Sequence, residues 1–330
     1  MNIVFGFWKN LKLPVFSLAP MADVTDVVFR QIIAKYSRHG EQGGGPDVFW
    51  TEFVSADGLN HPDAQERLAI DLRYKENERP IVAQLFSHEP QAMHDAVLLC
   101  KKMGFDGVDI NMGCPERTIV KQGAGCGLIQ EPEQAQAVIR AAQDAAGDMP
   151  VSVKTRIGFN TNEIDTWVPA LLETGIPVLT VHMRTRKDMS KVPAKWDLMP
   201  RIVELRDQIS PETLIFGNGD ATDLIDAQNK VDETGCDGVM LGRAIFGNPW
   251  LFDSEKGEIS IEEKLTVMLE HTKLYVELLG EHKNFNIMKK HYKAYCNGFV
   301  GAKELRNELM LQKTYEEIEK ITKDFLSRLS

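Results

Sequence analysis

The chain has 330 residues, 43% hydrophobic and 26% charged, with a net charge of −10. This balance gives room for one large core and an appendage, and it excludes wholesale disorder. No run approaches the roughly 20 apolar residues of a membrane span, and five cysteines without a CxxC pair fit neither a disulfide framework nor a zinc site. Net acidity also speaks against nucleic acid as a default partner of the whole chain.

From the N-terminus, Met1–Pro20 is partly apolar, but Lys9 and Lys12 interrupt it and no small-residue cleavage pattern follows. A signal peptide is not expected, and the unpaired cysteines suit a reducing, cytoplasmic setting. Short apolar or β-branched runs then recur: Val15–Pro20, Val48–Val54, Ile81–Phe86, Gly107–Gly113, Val151–Gly158, Val178–Arg184, Leu214–Asp220 and Gly238–Arg243. Such runs read as strands buried on both faces. Segments of helical spacing lie between them: Thr25–Tyr36, Pro90–Met103, Pro132–Ala145, Asn162–Thr174 and Ala221–Thr234. Strand starts are separated by 24 residues (Leu214 to Gly238) to 44 residues (Gly107 to Val151), about the length of one βα unit. Eight units predict an α/β fold, a (β/α)8 TIM barrel. An open doubly wound sheet is the runner-up, but no GxGxxG turn follows the first strand.

Arg38–Pro46, with three consecutive glycines, reads as a surface insertion, and polar Gly58–Arg79 as an irregular loop. From Ile259 onward only amphipathic helical stretches appear. The predicted organisation is therefore a barrel over 1–255 and an all-helical domain over 256–330. Between His282 and Arg306 the tail is locally basic: Lys283, Lys289, Lys290, Lys293, Lys303 and Arg306 face the single acid Glu304.

In such a barrel, chemistry sits where strands end. Those ends carry Gln84, Asn111, Cys114, Lys154, Arg156, His182, Asn218-Gly219-Asp220 and Gly242-Arg243. Glycines after the last two strands let backbone amides approach a phosphate, and Arg243 adds charge-assisted bonds. Lys154, at the end of a buried strand, calls for an anion or an electron-rich ring edge, since a buried ammonium is costly alone. Gln84 offers both a donor and an acceptor to an amide-like ring. His182 is either a satisfied core histidine or a ligand contact. Cys114 sits in a Gly-Cys-Pro turn that can face the pocket, whereas Cys100 and Cys236 read as packing residues and Cys126 as loop filler.

Taken together, Ala19-Pro20-Met21-Ala22-Asp23, Asp109-Ile110-Asn111-Met112-Gly113-Cys114-Pro115, Lys154-Thr155-Arg156, Asn218-Gly219-Asp220 and Gly242-Arg243 resemble the tRNA-dihydrouridine synthase family over nearly the whole chain. The resemblance implies FMN at the rim, with Pro20, Met21 and Ala22 along its ring system and Gln84 and Lys154 at its polar edge. His182, Asn218, Gly219, Asp220, Gly242 and Arg243 would hold the ribityl chain and phosphate. It implies NADPH as reductant, Cys114 as proton donor and a tRNA uridine as substrate, contacted by Asn111 and Arg156. Lys289 and Lys290 would dock tRNA on the helical tail of a monomer, with no membrane partner. Two departures stand out: Lys187–Met189 replaces a usual Tyr-Gly, and Cys126 replaces a usual Ala or Ser.

Overall fold

A computed structural model describes residues 3–329. The strands are β1 (Val15–Leu18), β2 (Phe49–Trp50), β3 (Val54–Ser55), β4 (Ile81–Phe86), β5 (Gly107–Met112), β6 (Val151–Arg156), β7 (Val178–His182), β8 (Leu214–Asn218) and β9 (Gly238–Leu241). All pairings are parallel, in the order β1-β9-β8-β7-β6-β5-β4-β2, with β3 also on β4. The predicted second strand is thus split into β2 and β3, and the eight-unit (β/α)8 barrel is otherwise as expected. The gap between β1 and β2 is bridged by one residue. The Asp47 amide donates to Phe16 O at 2.9 Å, and Asp47 Oδ2 accepts from the Phe16 amide at 2.7 Å.

Alternation along parallel strands sorts side chains between two environments. Outward residues such as Val108, Ile110, Val153 and Val181 pack under the surrounding helices in the main core. Inward residues Val15, Trp50, Val82, Val178, Phe216 and Met240 fill the lower barrel. The short N-terminal helix Gly6–Asn10 closes that end, with Trp8 lying 5.9 Å from Trp50 and 5.7 Å from Phe216, ring centre to ring centre. Higher up, the inward positions turn polar, through Ser17, Asp109, Ser152 and Thr180. The barrel is dry at the base and hydrogen-bonding at the mouth.

Between β3 and β4 the structure overturns the expectation of an irregular loop over Gly58–Arg79. Two helices, Ala56–Leu59 and Pro62–Ala69, and a 3-10 turn at Glu76–Glu78 occupy it. Ser55 caps the first by accepting from the Gly58 amide, and Pro62 starts the second. The second has no fully buried residue, and its Leu68 packs partly buried against the core. A further helix, Met199–Ile209, lies where no segment was singled out.

Beyond β9 the described residues form no strand, only helices, chiefly Ile261–Leu279, Met288–Tyr295, Ala302–Leu309 and Tyr315–Leu326. Leu265, Met268, Tyr275, Tyr292 and Leu305 belong to the same apolar core as Phe29 and Ile32 of the barrel helix Val27–Tyr36. No described helix is long and apolar enough to cross a membrane.

Candidate active site

The strand register assembles the mouth. Gln84 stands beside Asp109, Asn111 beside Lys154, Arg156 beside His182, and His182 beside Asn218. A cavity of about 280 Å³ opens there, lined by the predicted Pro20, Met21, Gln84, Asn111, Cys114, Lys154, Arg156, His182, Asn218, Gly219, Asp220, Gly242 and Arg243. Ala22 is exposed in the turn beyond Met21. Lys289 and Lys290 lie outside the cavity, on the helix Met288–Tyr295. Phe53, Arg184 and Ser190 line the cavity too and were not proposed from sequence. Arg184 was within reach, two residues beyond His182, whereas Ser190 sits in a long loop without a chemical signature.

Positive charge dominates this mouth. Lys154, Arg156, Arg184 and Arg243 line it against one carboxylate, Asp220. Asp220 bridges two of them, taking Arg184 and Arg243 at 2.5 Å each. Burial opposes its ionisation, but Arg184, the Ala194 amide and Arg243 hold its pKa below the usual range. The only hydrogen bond of Lys154 Nζ among the described residues is to Asn218 Oδ1, at 3.0 Å. Burial, and then the nearby Arg156, lower its pKa to about 8. His182 is neutral, since burial and the surrounding cations push its pKa well down. The Arg184 guanidinium, which can only donate, reaches His182 Nε2 at 3.1 Å, so the ring proton sits on Nδ1.

At the last two strand ends, backbone takes the place of side chains. Gly219 has φ +125°, and a Cβ there would stand 2.9 Å from Ala194 Cβ. A Cβ on Gly242 would enter the cavity wall 3.6 Å from Ala19 Cβ. Bare backbone beside Arg243 forms a cradle for an anionic group. With Lys154 lacking a bonded carboxylate, the donor set fits an elongated, phosphate-bearing ligand whose far end is electron-rich.

Opposite, the turn after β5 carries the thiol. Asn111 Oδ1 accepts from the Gly113 amide at 3.0 Å and the Cys114 amide at 2.8 Å. Arg156 Nε donates to Gly113 O at 2.8 Å, and its Nη1 donates to Thr185 O and Met189 O, tying this turn to the 185–189 loop. Burial raises the Cys114 pKa, so the thiol is protonated at neutral pH. Cys126 is buried behind it, its amide donating to Cys114 O at 3.0 Å. The cysteine departure is therefore a packing residue of the loop wall.

Fold and site together define an α/β barrel with a cation-rich mouth and one protonated thiol facing it. The profile of the dihydrouridine synthase family matches residues 17–330. A "Probable tRNA-dihydrouridine synthase 2" of Bacillus subtilis is 40% identical over 322 residues, covering 97% of this chain and 96% of that protein. A "Probable tRNA-dihydrouridine synthase" of Staphylococcus aureus is 38% identical over 326 residues, covering 98% and 97%. In fold alone, the chain is similar to a variant of NCR from Zymomonas mobilis, with TM-score 0.51 and 16% identity over 80% of this chain and 96% of that one. Morphinone reductase in complex with tetrahydroNAD gives TM-score 0.50 and 14% identity, over 80% and 94%. The chain belongs to the dihydrouridine synthase family.

Proposed function

We propose that the protein reduces the 5,6 double bond of particular uridines in tRNA to dihydrouridine, using FMN and NADPH, with Cys114 as proton donor. The observation that carries the reading is that Lys154 and the protonated Cys114 face one cavity from adjacent strand ends. Pro20, Met21 and Ala22 would lie along the flavin ring, Gln84 and Lys154 at its polar edge. His182, Asn218, Gly219, Asp220, Gly242 and Arg243 would hold its ribityl chain and phosphate. When bound, FMN supplies a hydride, taken from NADPH, to carbon 6 of the uracil.

The chain's own groups do the rest. Uracil accepts hydride poorly because charge builds at carbon 5 and the adjacent carbonyl, and a positioned acid lowers that barrier. Cys114 gives its thiol proton to carbon 5. Burial keeps that proton in place at neutral pH, and the Glu116 backbone amide, then Arg156 and Lys154, favour the thiolate left behind. The uridine must leave its stack to enter the mouth. Lys289 on the tail would bind the tRNA backbone outside, and the protein would act as a monomer.

Replacing Cys114 by Ala is expected to leave FMN binding and NADPH oxidation intact. Dihydrouridine formation should fall by about 10²-fold or more, measured by mass spectrometry of treated tRNA. Product formed at the parental rate would remove Cys114 from the reaction.

A further inference from the structure

Asp109 lies one turn of the strand pleat below Asn111 on β5, 1% exposed, and is not itself among the residues that line the cavity. As a carboxylate it can only accept hydrogen bonds. It accepts from Ser152 Oγ at 2.6 Å and from Gln84 Nε2 at 2.7 Å. That turns Gln84 Oε1 toward Asn111, whose Nδ2 donates to it at 2.9 Å. Asn111 is thereby oriented with Oδ1 outward, where it receives the amides of Gly113 and Cys114. Backbone amides can only donate, so every bond in the string runs the same way, from the Cys114 turn down to Asp109.

We propose that Asp109 is a positioning residue: by being acceptor-only, it sets the direction of the amide string Gln84–Asn111 and so holds the Cys114 turn against the cavity. Two consequences follow for the site. The face that Gln84 turns toward a bound ring is chosen from beneath by Asp109. The turn that carries the thiol is held at the Cys114 backbone amide, which donates to Asn111 Oδ1. This deepens the reading of Cys114 as the acid and rests on it for its meaning, yet the string itself is tested without any turnover.

In Asp109→Asn the new side chain can present either face to Gln84, because the Ser152 hydroxyl accepts as readily as it donates. The reversed string becomes accessible, and its Asn111 would aim an amino group at the donating amides of the turn. Gln84→Glu with Asp109→Asn conserves charge and size, and restores an acceptor-only group that must take the Asn111 proton. The measurement is the rate of alkylation of Cys114 by iodoacetamide in the full-length protein, located by peptide mass spectrometry. Cys100, Cys126, Cys236 and Cys296 are buried, and Cys114→Ala supplies the blank. Asp109→Asn should react about fivefold faster as the turn loosens, and the double variant should return to within about twofold of the parent. An Asp109→Asn rate equal to the parent's, or a folded double variant as fast as the single one, would overturn the proposal. If Asp109→Asn does not fold, the double variant decides. Folding with the parental rate supports the string, and failure to fold counts against it, since its acceptor is present. An active Cys114→Ala would instead sink the acid role and leave the string standing.

Discussion

Two lysines held in from the surface divide the molecule into unlike regions. At the barrel mouth, Lys154 makes one hydrogen bond, to an uncharged amide, and its pKa is lowered. At the junction between barrel and tail, Lys283 lies 2.6 Å from both Glu52 and Asp71, and its pKa is raised, the carboxylates outweighing burial. Glu52 also accepts from the Asp23 amide, so the pair ties the tail to the turn that carries Pro20 and Met21. One cation is left open for something to bind, and the other is a staple. Charge alone does not distinguish a binding residue from a structural one; the partners within bonding distance do.

Exchanging each lysine for Met breaks this comparison most directly. Lys283→Met strands Glu52, which is 5% exposed and whose pKa burial already raises to about 7. A loss of roughly 3–5 kcal/mol is expected from urea denaturation. Lys154→Met should leave stability unchanged or raise it by about 1 kcal/mol, while FMN affinity, read by fluorescence titration, falls about tenfold or more. Equal stability losses in the two variants would erase the distinction.

The junction holds a second device, made of neutral rings. His271 and His291 are fully buried, with ring centres 5.0 and 4.7 Å from that of Phe29. His271 Nδ1 lies 3.3 Å from Tyr295 Oη, but His271 Nε2 and both nitrogens of His291 have no partner among the described residues. Burial holds His271 at about 3 and His291 well below the usual value of 6.5. Unfolded, both would bind protons near 6.5; folded, they refuse them. Stability is therefore present above that value and lost as pH falls through it. Roughly 2 kcal/mol should disappear between pH 7 and 5.5, and His291→Phe should remove about half of that slope. A flat urea midpoint over this interval would show that the rings are not buried neutral.

The strand ends were legible because each buried strand announces itself by a β-branched run and stops where polar residues begin, as at Val151–Arg156. So were the cavity-lining Lys154, His182 and Arg243, whose chemistry has little use in a sealed core. The plug at Trp8 was not legible, because its partners Trp50 and Phe216 are brought to it only by barrel closure. Nor was the string beneath Cys114: Gln84 and Asn111 read as ligand-facing amides, and only the register shows their polar groups engaged with each other. Sequence counted Lys283 with the basic run of the tail. The acids that occupy it come from Glu52 and Asp71, far away along the chain.

The same distinction separates the two lysines proposed to bind tRNA. Lys290 is half-buried, its pKa lowered by burial and drawn back up by Asp23, Glu52 and Asp26, so it faces the acidic junction. Lys289, its neighbour on the helix, points about 100° away around the axis. Lys289→Ala is expected to lower the slope of log tRNA affinity against log salt by about one, the signature of one lost phosphate contact. Lys290→Ala should change that slope by less and instead shift stability by a few tenths of a kcal/mol, roughly 0.5 at most. Filter binding across a salt series, beside urea denaturation of both variants, reads the two effects separately. Equal slopes would place both lysines on the docking face and move the edge of the junction inward, to Lys283.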